Sequence, residues 1–148
     1  MSGPVWRSIL LGGGRGPASA ERAMTLKSVI ELRRLDAAIL ETPVGSLSLG
    51  MKRVIEIGRA IATGAMVLCL DEPAAGLNEA EIDLLGATLR DIAATGRSVL
   101  LVEHHMRFVL DLSHDILVLE QGRAVAWWTN SQEEDLPEVL RRHIGALP

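Results

Sequence analysis

Hydrophobic residues recur at every third or fourth position in several segments of the chain, which is the spacing of amphipathic helices. The clearest segment predicts a helix from Glu79 to Ala94, with Asn78 as its N-cap and Gly96 just beyond its end. A second helix is predicted from about Leu49 to Ala62. The positions predicted to face the core are Ile82, Leu85, Leu89 and Ile92 in the first of these helices and Val54, Ile57 and Ile61 in the second.

Three further helices are predicted by the same spacing. One starts at Ser19 and ends near Arg34, the second covers Met106–Leu112, and the third follows Asp135. Their predicted inward positions are Ala23, Leu26 and Ile30, then Met106, Val109 and Leu110, and finally Leu136, Val139, Leu140, His143 and Ile144.

Two short apolar runs, Met66–Leu70 and Ser98–Val102, have the length and flanks of buried parallel strands. The runs 115–120 and 124–128 flank a glycine-containing loop of three residues, 121–123, which predicts a hairpin. In its second strand, Trp127–Trp128 should place one indole in the core and one on the surface. The alternation of strands and helices predicts an α/β fold with a largely parallel sheet and flanking helices.

Composition narrows the class of protein further. Of 148 residues, 48% are hydrophobic and only 3% aromatic, which predicts an aliphatic core. The net charge is −4 and the basic residues are scattered, so no nucleic-acid partner is expected. Cys69 is the one cysteine, which excludes an internal disulfide, and we expect it to be buried in its strand. No apolar stretch approaches the ~20 residues of a membrane span, so we expect a cytoplasmic chain that reaches a membrane only through a partner.

The segment Leu47–Arg53 is the first of four features that could carry chemistry. Ser48 and Gly50 stand where a helix begins, and free backbone N–H groups beside a hydroxyl there can bind an anion such as phosphate. Taken alone, the pattern is better explained by an ordinary N-cap at Ser48.

The second feature is the acidic pair Asp71–Glu72, which follows the first apolar strand and precedes Pro73. Ligands of α/β proteins gather at the carboxyl ends of the strands. Asp71 could hold Mg²⁺, which takes few protein carboxylates, and Glu72 could act as a general base toward water. The alternative is a strand that ends in two solvated acids.

The remaining features are the tight loop Ala74–Asn78 and the dipeptide Glu103–His104 after the second strand. By itself the loop is only a turn, and a lone histidine is more often structural. His104 could nevertheless hydrogen-bond a terminal phosphate and an attacking water.

Together these features resemble the second half of an ATP-binding-cassette (ABC) ATPase, in the order signature motif, Walker B strand, D-loop and switch histidine. The resemblance covers about residues 45–125. The stretch Asp71–Asn78 with Glu103–His104 is most similar to the ATPase subunits of branched-chain amino-acid importers. The resemblance implies that the chain is the C-terminal part of a P-loop NTPase domain. It further implies a partial helical subdomain over 1–47, the signature-to-histidine core over 48–128 and a C-terminal loop and helix over 129–148.

The resemblance also implies partners and roles. Two subunits would pack head to tail on transmembrane permease subunits at the inner face of the cell membrane, with Mg²⁺ and ATP between the two ATPases. The residues implied in nucleotide chemistry are Asp71 for Mg²⁺, Glu72 and His104 for catalysis, Ser48 and Gly50 for the nucleotide held by the partner, and the D-loop residues Ala75, Gly76, Leu77 and Asn78.

The sequence departs from the family pattern at several positions. Met51 replaces the usual glutamine of the signature, and His105 replaces the aspartate common after the switch histidine. No Gly-Lys pair occurs in the chain, so the phosphate-binding loop G-x-x-x-x-G-K-[ST] is absent, and the glycine-rich segment Gly12–Gly16 does not replace it. We therefore expect a chain that starts in mid-domain and is inactive alone. The alternative is a non-catalytic module that only dimerises or binds other subunits. Under either interpretation we expect a homo-oligomer or association through an exposed sheet edge.

Overall fold

The computed structural model describes residues 41–129 and residue 141. Three predictions lie outside these residues, namely the helix from Ser19, the glycine-rich segment Gly12–Gly16 and the helix after Asp135. The chain divides into two compact units, one ending at Val102 and the other starting at Glu103.

The described part of the first unit, residues 41–102, contains two α-helices and two parallel strands. After a single 3-10 turn at Val44–Ser46, the elements are α1 (Leu49–Ile61), β1 (Val67–Asp71), α2 (Glu79–Ala94) and β2 (Ser98–Val102). Strands β1 and β2 pair in parallel, with Leu68 opposite Val99 and Asp71 opposite Val102. The predicted α/β class and the bounds of both helices are therefore confirmed to within one residue.

The core of the first unit lies between the helices and one face of the strands. Val54, Ile57 and Ile61 of α1 are buried, as are Leu85, Leu89 and Ile92 of α2, in agreement with the predicted stripes. Ile82 is only partly buried. Helix α2 packs against both α1 and β2. Asn78 is the N-cap of α2 and accepts a hydrogen bond from the backbone N–H of Glu81, as the sequence predicts for a cap.

The prediction that both strands are fully buried was wrong. Leu68 is buried, but Val67, Leu100 and Val102 remain 57–59% exposed, and Cys69 is exposed as well. Because side chains alternate along a strand, the residues beside Leu68 point away from the helices. Within the described residues, this second face of the strands stays open. Cys69 lies on that face, which explains why the predicted burial of Cys69 was wrong.

Between residues 103 and 129, the second unit forms a short helix and an antiparallel hairpin. Helix α3 (Met106–Leu112) is followed by β3 (Asp115–Glu120) and β4 (Arg123–Thr129). Glu120 pairs with Arg123, so the turn has two residues, Gln121 and Gly122, instead of the predicted three. Their φ angles of 49° and 76° are those of the primed turns that match the twist of a hairpin.

The predicted division of the two adjacent tryptophans is confirmed. Trp128 is 4% exposed and packs with Ile116 in the small core of this unit, whereas Trp127 is 66% exposed. Met106, Val109 and Leu110 of α3 pack on the same cluster, as their spacing predicts. In the described part of the chain, no helix is both long and apolar enough to cross a membrane.

Candidate functional site

Ser48 is the N-cap of α1 and has an extended backbone. Its Oγ accepts a hydrogen bond from the backbone N–H of Met51 at 3.3 Å, which satisfies one of the N–H groups that a helix start leaves without a partner. Ser48 is exposed, whereas Gly50 is buried. The N-cap function considered from the sequence is therefore present, and the hydroxyl remains accessible beside it.

The acidic pair stands at the carboxyl end of β1. Asp71 is the last residue of the strand, and the backbone N–H of Glu72 donates to the carbonyl oxygen of Val102 at 2.8 Å. Both acidic side chains are exposed, while Pro73 and Ala74 behind them are buried. The strand pair thus delivers two adjacent carboxylates to the solvent at one sheet edge.

Glu72 has a φ angle of 43°, in the left-handed region that residues with a Cβ avoid. Its carbonyl oxygen accepts a hydrogen bond from the N–H of Ala75 at 3.1 Å, so the turn that follows is anchored on this residue. Strain of this kind persists where the surrounding structure imposes it, and it is frequent at functional sites.

We expect Glu72→Gly to be more stable than Glu72→Ala by about 1 kcal/mol, because only glycine adopts a positive φ without cost. Both variants lack the carboxylate, so its loss cancels in the comparison. Urea unfolding followed by circular dichroism measures the difference in their free energies of unfolding. Gln121, with a φ of 49°, offers a matched pair of variants in the hairpin turn that should give a similar difference. Equal stabilities for the two Glu72 variants would contradict a strained backbone.

The loop Ala75–Asn78 connects the acidic pair to α2 and lies close to the start of α1. The N–H of Leu77 donates to the carbonyl of Ala74 at 3.1 Å, and Gly76 has a φ of 76°. A methyl group placed on Gly76 would lie 3.4 Å from Cδ2 of Leu49. The loop and the Ser48–Gly50 segment, which are far apart in sequence, are therefore neighbours in the first unit.

Glu81 was not singled out from the sequence, and it joins these two segments. Its Oε1 accepts from the N–H of Gly50 at 3.0 Å, and its Oε2 accepts from the N–H of Asn78 at 3.2 Å. The hydrogen bonds from Gly50 N–H, the Ser48 hydroxyl and Asn78 N–H, in that order of size, hold the pKa of Glu81 below the ordinary value of 4.5. The spacing of Asn78 and Glu81 is that of a capping box, which was a usable signal for the contact with Asn78 but not for that with Gly50.

The histidine pair belongs to the second unit, whereas the other predicted site residues belong to the first. The Glu103 carboxylate accepts hydrogen bonds from the N–H of His104 at 3.1 Å and of His105 at 3.2 Å. Nδ1 of His105 accepts from the N–H of Phe108 at 3.3 Å, so His105 caps α3. The side chain of His104 is exposed, and His105, by contrast, has a structural role.

Among the residues that the structure describes, no group of three or more His, Cys, Asp or Glu side chains could hold a metal ion. Asp71 and Glu72 nevertheless form an exposed oxygen pair at the strand end. Mg²⁺ usually binds one or two carboxylates together with substrate phosphates and water, so this donor set fits Mg²⁺ bound with a nucleotide.

Comparison with known proteins agrees with this geometry. Residues 8–75 match the model of the ABC transporter family. Over 102 residues the chain is 40% identical to the high-affinity branched-chain amino acid transport ATP-binding protein BraF of Pseudomonas aeruginosa. Over 105 residues it is 34% identical to the arabinose import ATP-binding protein AraG of Escherichia coli.

Solved structures show the same fold at lower identity. CbiO1 from Clostridium perfringens, part of the ABC transporter complex CbiONQ, aligns over the whole chain with a TM-score of 0.79 and 21% identity. The ADP conformation of the ATP-binding cassette MJ1267 aligns over 97% of the chain with a TM-score of 0.78 and 22% identity.

The chain is shorter than the proteins it matches. It spans 40% of BraF and 21% of AraG, and 59% and 63% of the two solved structures. The shared fold, the family match and the sequence identity lead to one conclusion: the chain has the fold of an ABC ATPase and is similar in sequence to ABC-transporter ATP-binding proteins.

Proposed function

We propose that the chain is the signature-bearing part of the subunit that binds and hydrolyses ATP in an ABC transporter. The observation that carries the proposal is the strained backbone at Glu72, which sets two exposed carboxylates side by side at the carboxyl end of a parallel strand. Strain at this point is typical of a residue whose position matters for chemistry.

Each site residue has a proposed role in the hydrolysis. Glu72 accepts a proton from the water that attacks the γ-phosphorus, and His104 hydrogen-bonds the γ-phosphate. Ser48 and the N–H of Gly50 bind the γ-phosphate of the nucleotide held by a second subunit, and the loop ending at Asn78 orients the facing surface.

Asp71 is the residue we expect to hold Mg²⁺, which would neutralise charge on the phosphates when bound. Its exposed position at the strand end leaves room for the phosphate oxygens and waters that complete the shell of this ion. The 148 residues contain no G-x-x-x-x-G-K-[ST] segment, so we propose that the loop binding the β- and γ-phosphates comes from outside them.

The proposed solute class is branched-chain amino acids. BraF, whose name includes that class, is 40% identical, whereas the arabinose protein AraG is 34% identical. The proposed partners are a second ATP-binding subunit in a head-to-tail dimer and transmembrane permease subunits. These partners would hold the chain at the cytoplasmic face of the membrane.

A non-catalytic binding module is the second candidate, and one observation favours it. Both units carry an exposed apolar strand face, with Val67, Leu100 and Val102 in the first unit and Leu117 and Trp127 in the second. Exposed apolar surface of this kind marks a protein contact. The two candidates differ in whether ATP is needed for the partner to bind.

Two measurements distinguish the candidates. Isothermal calorimetry of the chain with Mg-ATP should show no binding, because the phosphate loop is missing from these residues. Sedimentation of the chain should then show ATP-dependent association with a complete ABC ATP-binding protein whose catalytic glutamate is changed to glutamine, so that its ATP remains bound.

The variant Ser48→Arg should abolish that association, because a bulky side chain would fill the position proposed for the γ-phosphate. Glu56→Gln, an exposed change on the same helix, is the matched control and should associate normally. ATP-independent association that Ser48→Arg leaves unchanged would refute the nucleotide-bridging role and support the binding module. Micromolar binding of ATP by the chain alone would contradict the absence of a phosphate site.

A further inference from the structure

The carboxylate of Glu81 occupies the position at which the sequence predicts a bound phosphate. The N–H of Gly50 donates to Oε1 at 3.0 Å, although Gly50 and Glu81 are 31 residues apart. After the Gly50 N–H, the Ser48 hydroxyl is the next contributor to the lowered pKa of this carboxylate. The Gly50 N–H, one of the two groups proposed to bind the γ-phosphate, is therefore engaged with an internal anion.

The same carboxylate holds the end of the loop that follows the acidic pair. Oε2 accepts from the N–H of Asn78 at 3.2 Å, while the N–H of Glu81 donates to Oδ1 of Asn78 at 3.0 Å. One side chain thus connects the start of α1 to the start of α2. A displacement of this carboxylate from Gly50 would therefore also disturb its hydrogen bond with Asn78.

The contact is close and sterically defined. A methyl group on Gly50 would lie 2.7 Å from Cβ and 2.9 Å from Cγ of Glu81, so glycine is required for this approach. The other ionisable groups at the two helix starts are Lys52, Arg53 and Glu79, and Arg53 pairs with Glu56 at 3.1 Å.

A phosphate and the Glu81 carboxylate cannot both accept a hydrogen bond from the N–H of Gly50. One N–H donates one strong hydrogen bond, and two anions within hydrogen-bond distance of the same N–H would repel each other. We propose that Glu81 is a positioning residue that holds the Gly50 N–H until the γ-phosphate of the partner's nucleotide replaces its carboxylate, which releases the link to Asn78. This inference rests on the proposed function, since it assigns the phosphate to Ser48 and Gly50.

The first test needs no nucleotide. In the isolated chain, the amide proton shifts of Gly50 and Asn78 should titrate together in NMR spectra, with an apparent pKa below 4.5. Glu81→Gln should remove both titrations, and Glu79→Gln, which neutralises the other first-turn acid of α2, should leave them in place. A Gly50 amide that does not titrate, or that titrates equally in Glu81→Gln, would overturn the link.

The second test distinguishes replacement of the Glu81 carboxylate by phosphate from a purely structural role of Glu81. In the ATP-dependent association described above, Glu81→Gln should bind more tightly than the wild-type chain by about tenfold, because the competing anion is gone. A purely structural role of Glu81 predicts that Glu81→Gln associates more weakly than the wild-type chain. Weaker association or an unchanged affinity would overturn the proposed replacement of the carboxylate by phosphate. If the wild-type chain shows no ATP-dependent association, the proposed function and this replacement both fail, whereas the NMR titration still reports on the link.

Discussion

Gly50→Ala is expected to lower the free energy of unfolding by about 1–3 kcal/mol, which is the usual cost of overpacking a tight contact. The added methyl group would lie 2.7 Å from Cβ of Glu81, a distance that real side chains do not tolerate. Cβ is fixed to the backbone, so rotation of the glutamate cannot relieve the clash. The helices α1 and α2 would have to move apart, and the hydrogen bond from Gly50 N–H to Glu81 would lengthen.

Urea unfolding of the 148-residue chain measures this effect, and a double variant identifies its cause. In a Glu81→Gly background the clashing Cβ is absent, so Gly50→Ala should become neutral or stabilising through the higher helix propensity of alanine. An equal loss in both backgrounds would contradict a steric origin. The sign of the change therefore tests the close approach of the two helices directly.

Leu85→Ala is expected to cost about 2–5 kcal/mol, because it removes a buried side chain and leaves a cavity. Leu85 is 0% exposed and lies on α2, which packs against both α1 and β2. The loss should appear as a lower midpoint in urea with an unchanged slope. A decrease of this size is a large share of the stability of a small domain.

Leu100→Ala is the matched control for this prediction. The chemical change is the same, but Leu100 is 59% exposed on the open face of β2, so we expect a change within about 0.5 kcal/mol. A large loss at Leu100 would mean that its face of the sheet is covered in solution. Equal effects of the two variants would contradict the described core.

Local sequence patterns predicted the helices and most of the loop chemistry. The bounds of α1 and α2 follow from a period of 3.6 residues and from caps, which act within one turn of the chain. The same reasoning identified Ser48 and Asn78 as N-caps and assigned one of the two tryptophans to the core. These features depend on residues within a few positions of one another.

Contacts between distant segments were not predictable in this way. The Gly50–Glu81 hydrogen bond joins residues 31 positions apart, and a single sequence contains no signal for such a distance. The exposure of Cys69 depends on which face of β1 the helices cover. The two-residue hairpin turn likewise depends on the pairing of Glu120 with Arg123 across strands.

The amino-acid sequence by itself therefore determined the order of elements, their caps and the residue types of the candidate site, because local geometry and side-chain chemistry decide these. Only the tertiary structure decided the left-handed backbone at Glu72, the open face of β1 and β2, and the carboxylate that joins Gly50 to Asn78. The open face and the bond to Gly50 result from packing between segments that are distant in sequence, and the N–H of Glu72 is held by the carbonyl oxygen of Val102 in the neighbouring strand. At such places burial and hydrogen bonding override local preference.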